Sequence, residues 1–308
     1  MGQSFNRIEA LSAMMRIRSF ETALAKRRDH GFQLLSSGEE AVAVGLCSVL
    51  QEADDLLTGG RSIGPALARG VDPKALMAEL LGKSAGINGG RAGRGHLSDP
   101  QSGFFGAHAV VGGNISIAAG VALTRKLSGS QNIVVVMFGD GACGQGALHE
   151  TLNIAMKWKL PLLFLCNNNG LSVSTPWDEV MAPERLSDFG AAFGMPVETI
   201  DGLDVEGVAE AVGKAVAAIR SGGGPAFIET KSIRLRSHST TARETRSRLE
   251  LEALNALCPI AALAKKMGLS TQALGELQHE ADAAAAAALS FADAAAYPLP
   301  EDLLSHVG

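Results

Sequence analysis

Aromatic side chains are scarce in this sequence: 11 Phe, 2 Trp and a single Tyr make up 5% of it. A surface that stacks on bases is therefore not expected. Basic residues are not in surplus either, with 27 Lys and Arg against 32 Asp and Glu and a net charge of −5. That balance argues against a general nucleic-acid binder, because neutralising phosphates needs a clear excess of positive charge. Cysteine is limited to Cys47, Cys143, Cys166 and Cys258, none in a Cys-x-x-Cys pair and none near a His at metal-ligand spacing. They read as reduced thiols of a cytoplasmic protein. No apolar run approaches the roughly 18–20 residues that cross a bilayer, so no membrane partner is expected; the longest, such as Ile133 to Phe138, have strand length. No basic-then-apolar leader opens the chain, so a secretory signal is not expected.

What remains is an ordinary globular composition, 46% hydrophobic and 19% charged over 308 residues, enough for one large α/β domain. Residues 8–28 carry apolar and basic residues at helical spacing. A second helix is expected after Ser37-Gly38, through Glu39, Glu40 and Val44 to Leu50. A third begins at Asp72-Pro73, with Asp as N-cap and Pro in the first turn. Gly82 to Gly120 holds eleven glycines. Its Phe104, Phe105, His96, His108 and Val110-Val111 are unlike a flexible linker, so it reads as ordered irregular backbone that approaches something closely.

A strongly patterned block follows. Ile133 to Phe138 is a buried strand, Gly139-Asp140-Gly141 a turn, residues 142–157 a helix, and Leu162 to Leu165 a second buried strand running into Asn167-Asn168-Asn169-Gly170. Met195 to Ile200, residues 204–220 and Ala226 to Thr230 repeat the alternation. Such β-α-β units imply a parallel sheet flanked by helices on both faces. Lys231 to Arg248 is a basic loop, with six Lys or Arg and only Glu244 as an acid. Ala281 to Ala296 reads as a surface helix closing the fold. Residues 1–308 form a single domain on this reading, with N-terminal helices and an alanine-rich C-terminal helical segment.

The turn at Asp140 carries the chemistry. It lies at the carboxyl end of a buried strand, where open α/β sheets bind ligands. Its carboxylate can ligate a hard cation, its flanking glycines admit a ligand to the backbone, and the following helix aims its N-terminus there, which favours phosphate. Asn169, 29 positions later, ends the neighbouring strand and offers a second hard oxygen. Mg²⁺ suits a few such oxygens completed by substrate phosphates.

This pattern resembles the thiamine-diphosphate fingerprint. Its surroundings, roughly residues 10–260, resemble the α subunits of 2-oxo acid and acetoin dehydrogenases, the first component of pyruvate dehydrogenase among them. The likeness is carried by Gly38-Glu39-Glu40-Ala41-Val42, by Ala68 to Leu80, and by Gly139-Asp140-Gly141-Ala142-Cys143-Gly144-Gln145-Gly146 with His149, Glu150 and Asn153. Trp158-Lys159-Leu160-Pro161 and Asp201-Gly202-Leu203-Asp204 add to it. The resemblance implies a thiamine-diphosphate-binding fold with Mg²⁺ held by Asp140, Asn169 and the carbonyl of Leu171. It implies backbone contacts to the diphosphate at Gly141 and Ala142, an arginine on the diphosphate at Arg61, and backbone positions for the aminopyrimidine at Ala109 and Val111. It implies an active-site-loop histidine at His238, with Arg234 nearby. It also implies a β subunit, in an assembly of two α and two β chains, and transfer of the product fragment to a lipoyl acyltransferase. The glutamate that activates the aminopyrimidine comes from the β chain in two-chain members, and no good candidate for it stands here: Glu39 and Glu40 open a helix, and Glu150 lies on the helix after the metal turn.

The sequence departs from the family at the reacting end. The usual Tyr-Arg-x-His-Gly is Gly60-Arg61-Ser62-Ile63-Gly64, the usual Gly-Phe-x-His-Leu is Gly31-Phe32-Gln33-Leu34-Leu35, Ser-Met-His is Arg94-Gly95-His96, and His238-Ser239 is not followed by Asp-Pro. Leu34 and Ile63 in place of histidines should make the pocket more apolar, and Gly60 should make it roomier, which favours a bulkier 2-oxo acid or a neutral acyloin over pyruvate. For Arg61 the competing reading is a surface arginine, and for His238 a solvated loop residue. For His96 and His108 it is backbone capping, for His149-Glu150 packing or subunit contact, and for Cys143 a small core residue. At the level of function, a thiamine-dependent carboligase or lyase half-enzyme and a non-catalytic cofactor-binding homologue stand beside the dehydrogenase.

Overall fold

The structure, a computed structural model, describes residues 5–27 and 31–305. Helix α1 (Arg7–Ala25) starts where the Asn6 side chain accepts the Glu9 N–H; residue 28, the expected last residue of this helix, lies outside the described residues. Helix α2 (Glu40–Cys47) is shorter than expected and leads to strand β1 (Asp55–Gly59), helix α3 (Ile63–Arg69) and helix α4 (Pro73–Leu80). The last has the expected start, with Asp72 accepting the Ala75 N–H and Pro at the first turn.

The glycine-rich stretch is ordered, and a single carboxylate organises it. Glu79, fully buried at the end of α4, accepts backbone N–H groups from Asn88, Gly90, Ala92 and Gly93 at 2.8–3.0 Å. Gly86 has to be glycine, since a Cβ there would lie 2.4 Å from the Glu79 carboxylate. The stretch is not irregular throughout, however. It contains strand β2 (Phe104–His108), and helix α5 (Gly113–Leu127) starts inside it.

Strand β3 (Val134–Gly139), a 3-10 turn over Asp140–Gly144, helix α6 (Gly146–Trp158) and strand β4 (Leu162–Asn168) form the patterned block. After the small hairpin of β5 (Leu171–Ser172) and β6 (Thr175–Pro176) come helix α7 (Asp188–Ala191), strand β7 (Val197–Asp201), helix α8 (Val205–Ala218) and strand β8 (Ala226–Lys231). Helices α9 (Arg248–Ala256), α10 (Pro259–Met267) and α11 (Thr271–Ala294) end the fold. None of the described helices is long and apolar enough to cross a membrane.

The six main strands form one sheet in the order β2-β1-β3-β4-β8-β7, every neighbouring pair parallel. Its two faces are covered separately. Val135, Met137, Leu163 and Leu165 point into a core shared with α1 to α4, α8 and α11, while Val134, Val136, Phe138, Leu162 and Phe164 point into one shared with α5 and α6. Alternate residues of one apolar run thus serve opposite layers, as a doubly covered parallel sheet requires. Helix α11 is longer than the alanine-rich stretch suggests, and it seats one alanine stripe, Ala281, Ala285, Ala288 and Ala292, while its other side faces solvent.

Candidate functional site

Strand order reverses between β1 and β3. The chain leaves β1 towards β2 on one side and leaves β3 towards β4 on the other, which opens a crevice at the carboxyl ends of these two strands. A cavity of about 170 Å³ occupies it. Thr58 to Arg61 at the end of β1, Met137 to Ala142 at the end of β3, and Asn167 and Asn169 at the end of β4 line it, together with Leu34, Glu39, Val111, Gly112, Leu171 to Val173 and His238.

Of the nine residues expected in the site, eight line this cavity: Arg61, Val111, Asp140, Gly141, Ala142, Asn169, Leu171 and His238. Ala109 does not; it lies against Gly95, whose Cβ would sit 3.1 Å from that of Ala109. Asp140 is 2% exposed, and its Oδ2 meets no donor among the described residues. Burial raises its carboxyl above the ordinary range, opposed by its own N–H and that of Asn169 and then by Arg234 and Arg61. A Cβ on Gly141 would meet Ser172 Oγ at 2.4 Å and Ser172 Cβ at 3.2 Å, so the turn packs directly on β5. No three His, Cys, Asp or Glu side chains gather as a metal cluster among the described residues. A cation beside Asp140 would therefore find one carboxylate, one amide and main-chain oxygen. That donor set suits a hard ion that keeps phosphate or water among its ligands, and a buried carboxylate oxygen lacking a donor is what such an ion would satisfy.

Arg61 donates to the carbonyls of Leu35 (2.6 Å) and His238 (3.1 Å). It thereby ties the exit of β1 to the segment before α2 and to the basic loop. His238 faces the cavity with Nδ1 buried and unpartnered among the described residues. Burial, followed by the charges of Arg61, Arg234 and Arg94, holds its imidazole below the ordinary value, so the ring is neutral near pH 7. Arg234 is a buried strut: it donates to the carbonyls of Val173 (2.8 Å) and Arg236 (3.2 Å). Val173, on the cavity rim, has φ 59, a left-handed backbone that a β-branched residue adopts only under constraint, and the Arg234 contact helps to hold it. Within the basic loop Arg246 also turns inward, onto Glu244 and the carbonyls of Arg234 and Arg236.

Two expectations need correction. Ile63 does not line the cavity. It is 1% exposed in the core at the start of α3, because the first turn of that helix points inward, so only Leu34 and Gly60 alter the wall. Leu34 also leans over Gly60, its Cδ1 lying 4.0 Å from where a Cβ would stand, which takes back part of the room the glycine leaves. Glu39 opens helix α2 as its N-cap, as expected, but it is also a buried wall residue whose carboxylate accepts from Asn167 and Asn169 Nδ2, each at 2.7 Å, and lies 3.5 Å from Arg61 Nε. Burial lifts its carboxyl, against Arg61, Asn169 and Arg234, with Asp140 adding to the rise. The adjacent Glu40 does different work, binding Arg18 and the Gly38 N–H; nothing in the sequence tells the two apart.

The other candidates make contacts of their own. His108 Nδ1 accepts the Val110 N–H at 3.1 Å, and its ring meets that of His96 edge-on at 5.2 Å. His149 packs edge-on against Phe189 at 5.0 Å. Cys143 is buried with its sulfur 3.6 Å from that of Cys166.

Residues 9–301 match the dehydrogenase E1 component family. The acetoin:2,6-dichlorophenolindophenol oxidoreductase α subunit of Bacillus subtilis is 35% identical over 302 residues, covering 96% of this chain and 91% of the relative. The pyruvate dehydrogenase E1 component α subunit of Zymomonas mobilis is 35% identical over 310 residues, covering 97% and 88%. A Cupriavidus necator acetoin:2,6-dichlorophenolindophenol oxidoreductase α subunit is 35% identical over 304 residues, covering 96% and 91%. With its six-stranded parallel sheet and a cavity at the switch point between β1 and β3, this chain belongs to the dehydrogenase E1 component family, as an α subunit of the thiamine-diphosphate-dependent 2-oxo acid and acetoin dehydrogenases.

Proposed function

We propose that the cavity at the ends of β1 and β3 holds the diphosphate of thiamine diphosphate through Mg²⁺, and that the chain acts as the α half of a dehydrogenase for a 2-oxo acid or acetoin. The observation that carries this reading is the buried Oδ2 of Asp140 without a donor among the described residues, beside Asn169 and Leu171 in one wall. Asp140, Asn169 and the Leu171 carbonyl would hold the cation. The backbone of Gly141 and Ala142 and the guanidinium of Arg61 would face the diphosphate, and Val111 would face the aminopyrimidine.

Held there, thiamine diphosphate would supply a nucleophilic carbon and an electron sink for cleaving a bond next to a carbonyl. The chain's own part is orientation and proton handling. His238, which lines the cavity and whose imidazole burial holds below its ordinary value, would take a proton from the substrate oxygen and then return it. Arg234 and Arg61 fix the loop that carries it. Leu34 and Gly60 present an apolar wall that disfavours a small carboxylate.

A β subunit would close the site. The cavity, about 170 Å³, is smaller than the roughly 300–1,000 Å³ of complete small-molecule sites. Its rim is apolar and open, with Val111 59% and Val173 55% exposed. Glu39, the only glutamate in the wall among the described residues, is already engaged by two amides and an arginine, so the activating carboxylate must come from elsewhere. Two α and two β chains, with a lipoyl acyltransferase as acceptor, complete the proposed assembly.

Calorimetry tests the site. Thiamine diphosphate should bind only with a divalent cation, and Asp140→Ala should abolish that binding. Unchanged affinity in the variant would refute the assignment.

A further inference from the structure

We propose that Glu39 is a positioning residue that fixes which end of the Asn169 side-chain amide faces the cavity, and so determines that a cation beside Asp140 meets oxygen and not NH₂. This inference rests on the cation–diphosphate reading of the cavity.

The geometry allows one arrangement. Glu39 is 2% exposed, and its backbone is fixed by donation of its N–H to the Ser36 carbonyl at 2.8 Å. One carboxylate oxygen lies 2.7 Å from the Asn169 amide and the other 2.7 Å from the Asn167 amide. At that distance a carbonyl oxygen facing an ionised carboxylate oxygen would repel it, so with Glu39 ionised beside Arg61 both asparagines turn Nδ2 towards it. The outcome differs for the two. Asn167 Oδ1 is left to accept the hydroxyls of Ser232 (2.6 Å) and Thr230 (3.2 Å). Asn169 Oδ1 is left on the other side of its amide, where it accepts only the Leu171 N–H, at 3.2 Å, among the described residues, and retains a lone pair in the cavity wall. Without an acceptor at position 39, the Asn169 amide could turn over and present two N–H donors to a cation, which repel it. The effect reaches the site through Asn169; Glu39 itself does not need to touch the ion.

The test reads Mn²⁺ binding by electron paramagnetic resonance in the presence of thiamine diphosphate, Mn²⁺ standing in for Mg²⁺ because both favour oxygen ligands. Glu39→Met keeps the shape and removes the acceptor, but it also removes a charge, so it is measured again on an Asn169→Ala background. If Glu39 acts through Asn169, the substitution weakens Mn²⁺ binding by about tenfold or more in the native background and by less than about threefold once Asn169 is gone. A second protein, Glu39→Gln with Asn167→Asp, keeps the total charge: the Gln NH₂ donates to the carboxylate introduced at position 167, while the Gln oxygen still accepts from Asn169. It should bind within about threefold of the native chain. An equal loss in both backgrounds would mean that charge alone acts and would overturn the proposal. So would a loss of tenfold or more in the charge-conserving pair, which decides the matter alone if Glu39→Met does not fold. A native chain that binds no Mn²⁺ with the cofactor would instead overturn the cation reading itself, since every protein in the set would then be blank.

Discussion

Glu21 and Asp140 are both buried carboxylates, and their surroundings give them opposite roles. Glu21 accepts the Ser36 N–H (2.7 Å), the Ser36 hydroxyl (2.5 Å) and the Ser37 hydroxyl (3.3 Å). It thereby anchors the segment that delivers Glu39 to the cavity. Asp140 keeps an oxygen without a donor among the described residues. Despite its hydrogen bonds, burial lifts the Glu21 carboxyl from 4.5 to about 7; Ser36 opposes the rise, Glu40 adds to it and Arg18 opposes it. A raised folded value means that the folded state prefers the protonated acid. The stabilisation is complete below the unfolded value near 4.5 and is lost as pH rises through about 7. Over that window the loss is on the order of 3 kcal/mol. Glu21→Gln, which does not titrate, should remove this slope. Urea unfolding of both proteins at pH 5 and pH 8 checks it, and parallel pH profiles would show that Glu21 does not titrate in this range. Ile63 teaches the complementary lesson: a position that the family pattern assigns to the pocket belongs to the core, and a histidine placed there would have to be buried.

Among the elements, legibility follows burial. Strands β3, β4 and β8 are plain in the sequence because a strand covered on both faces reads as a continuous apolar run. Strands β1 and β2 are not. Asp-Leu-Leu-Thr-Gly is too short to show a period, and Phe104–His108 is an edge strand with its second residue exposed and a glycine in its middle. The order of the glycine-rich stretch is legible, but its organiser, Glu79, lies outside it and cannot be recognised from composition. Glu79→Ala would leave four backbone N–H groups without their acceptor. We expect a loss of roughly 3 kcal/mol or more and new tryptic cleavage after Arg91 and Arg94. An uncut segment in a variant of native stability would show that the packing around the glycines, and not this carboxylate, orders the stretch.

At the scale of the whole molecule, the proposed function makes the cavity one wall of a larger site. The chain alone should give negligible turnover, and mixing with a β chain should restore it, read by reduction of an artificial electron acceptor. Turnover by the chain alone near the rate of the mixture would end the half-site reading. Across a panel of substrates the mixture should prefer a bulkier 2-oxo acid or a neutral acyloin to pyruvate, because Leu34 and Gly60 replace a histidine and a tyrosine of the family pattern in the wall. The highest specificity constant with pyruvate would show that the pocket argument is wrong.

Local chemistry in the sequence was enough to establish the alternation of strands and helices, the turn at Asp140 and its partner Asn169, and the family likeness. Each rests on residues close in the chain or on a motif whose spacing is itself the signal. Only the tertiary structure decided the rest. It placed Arg61 and His238, 177 positions apart, in one wall, sent Ile63 into the core, and brought Glu39 to Asn169 across 130 positions. Those outcomes depend on which helix face turns inward and which strand ends meet at the switch point. Both are set by packing between elements distant in sequence, and neighbouring residues carry no record of it.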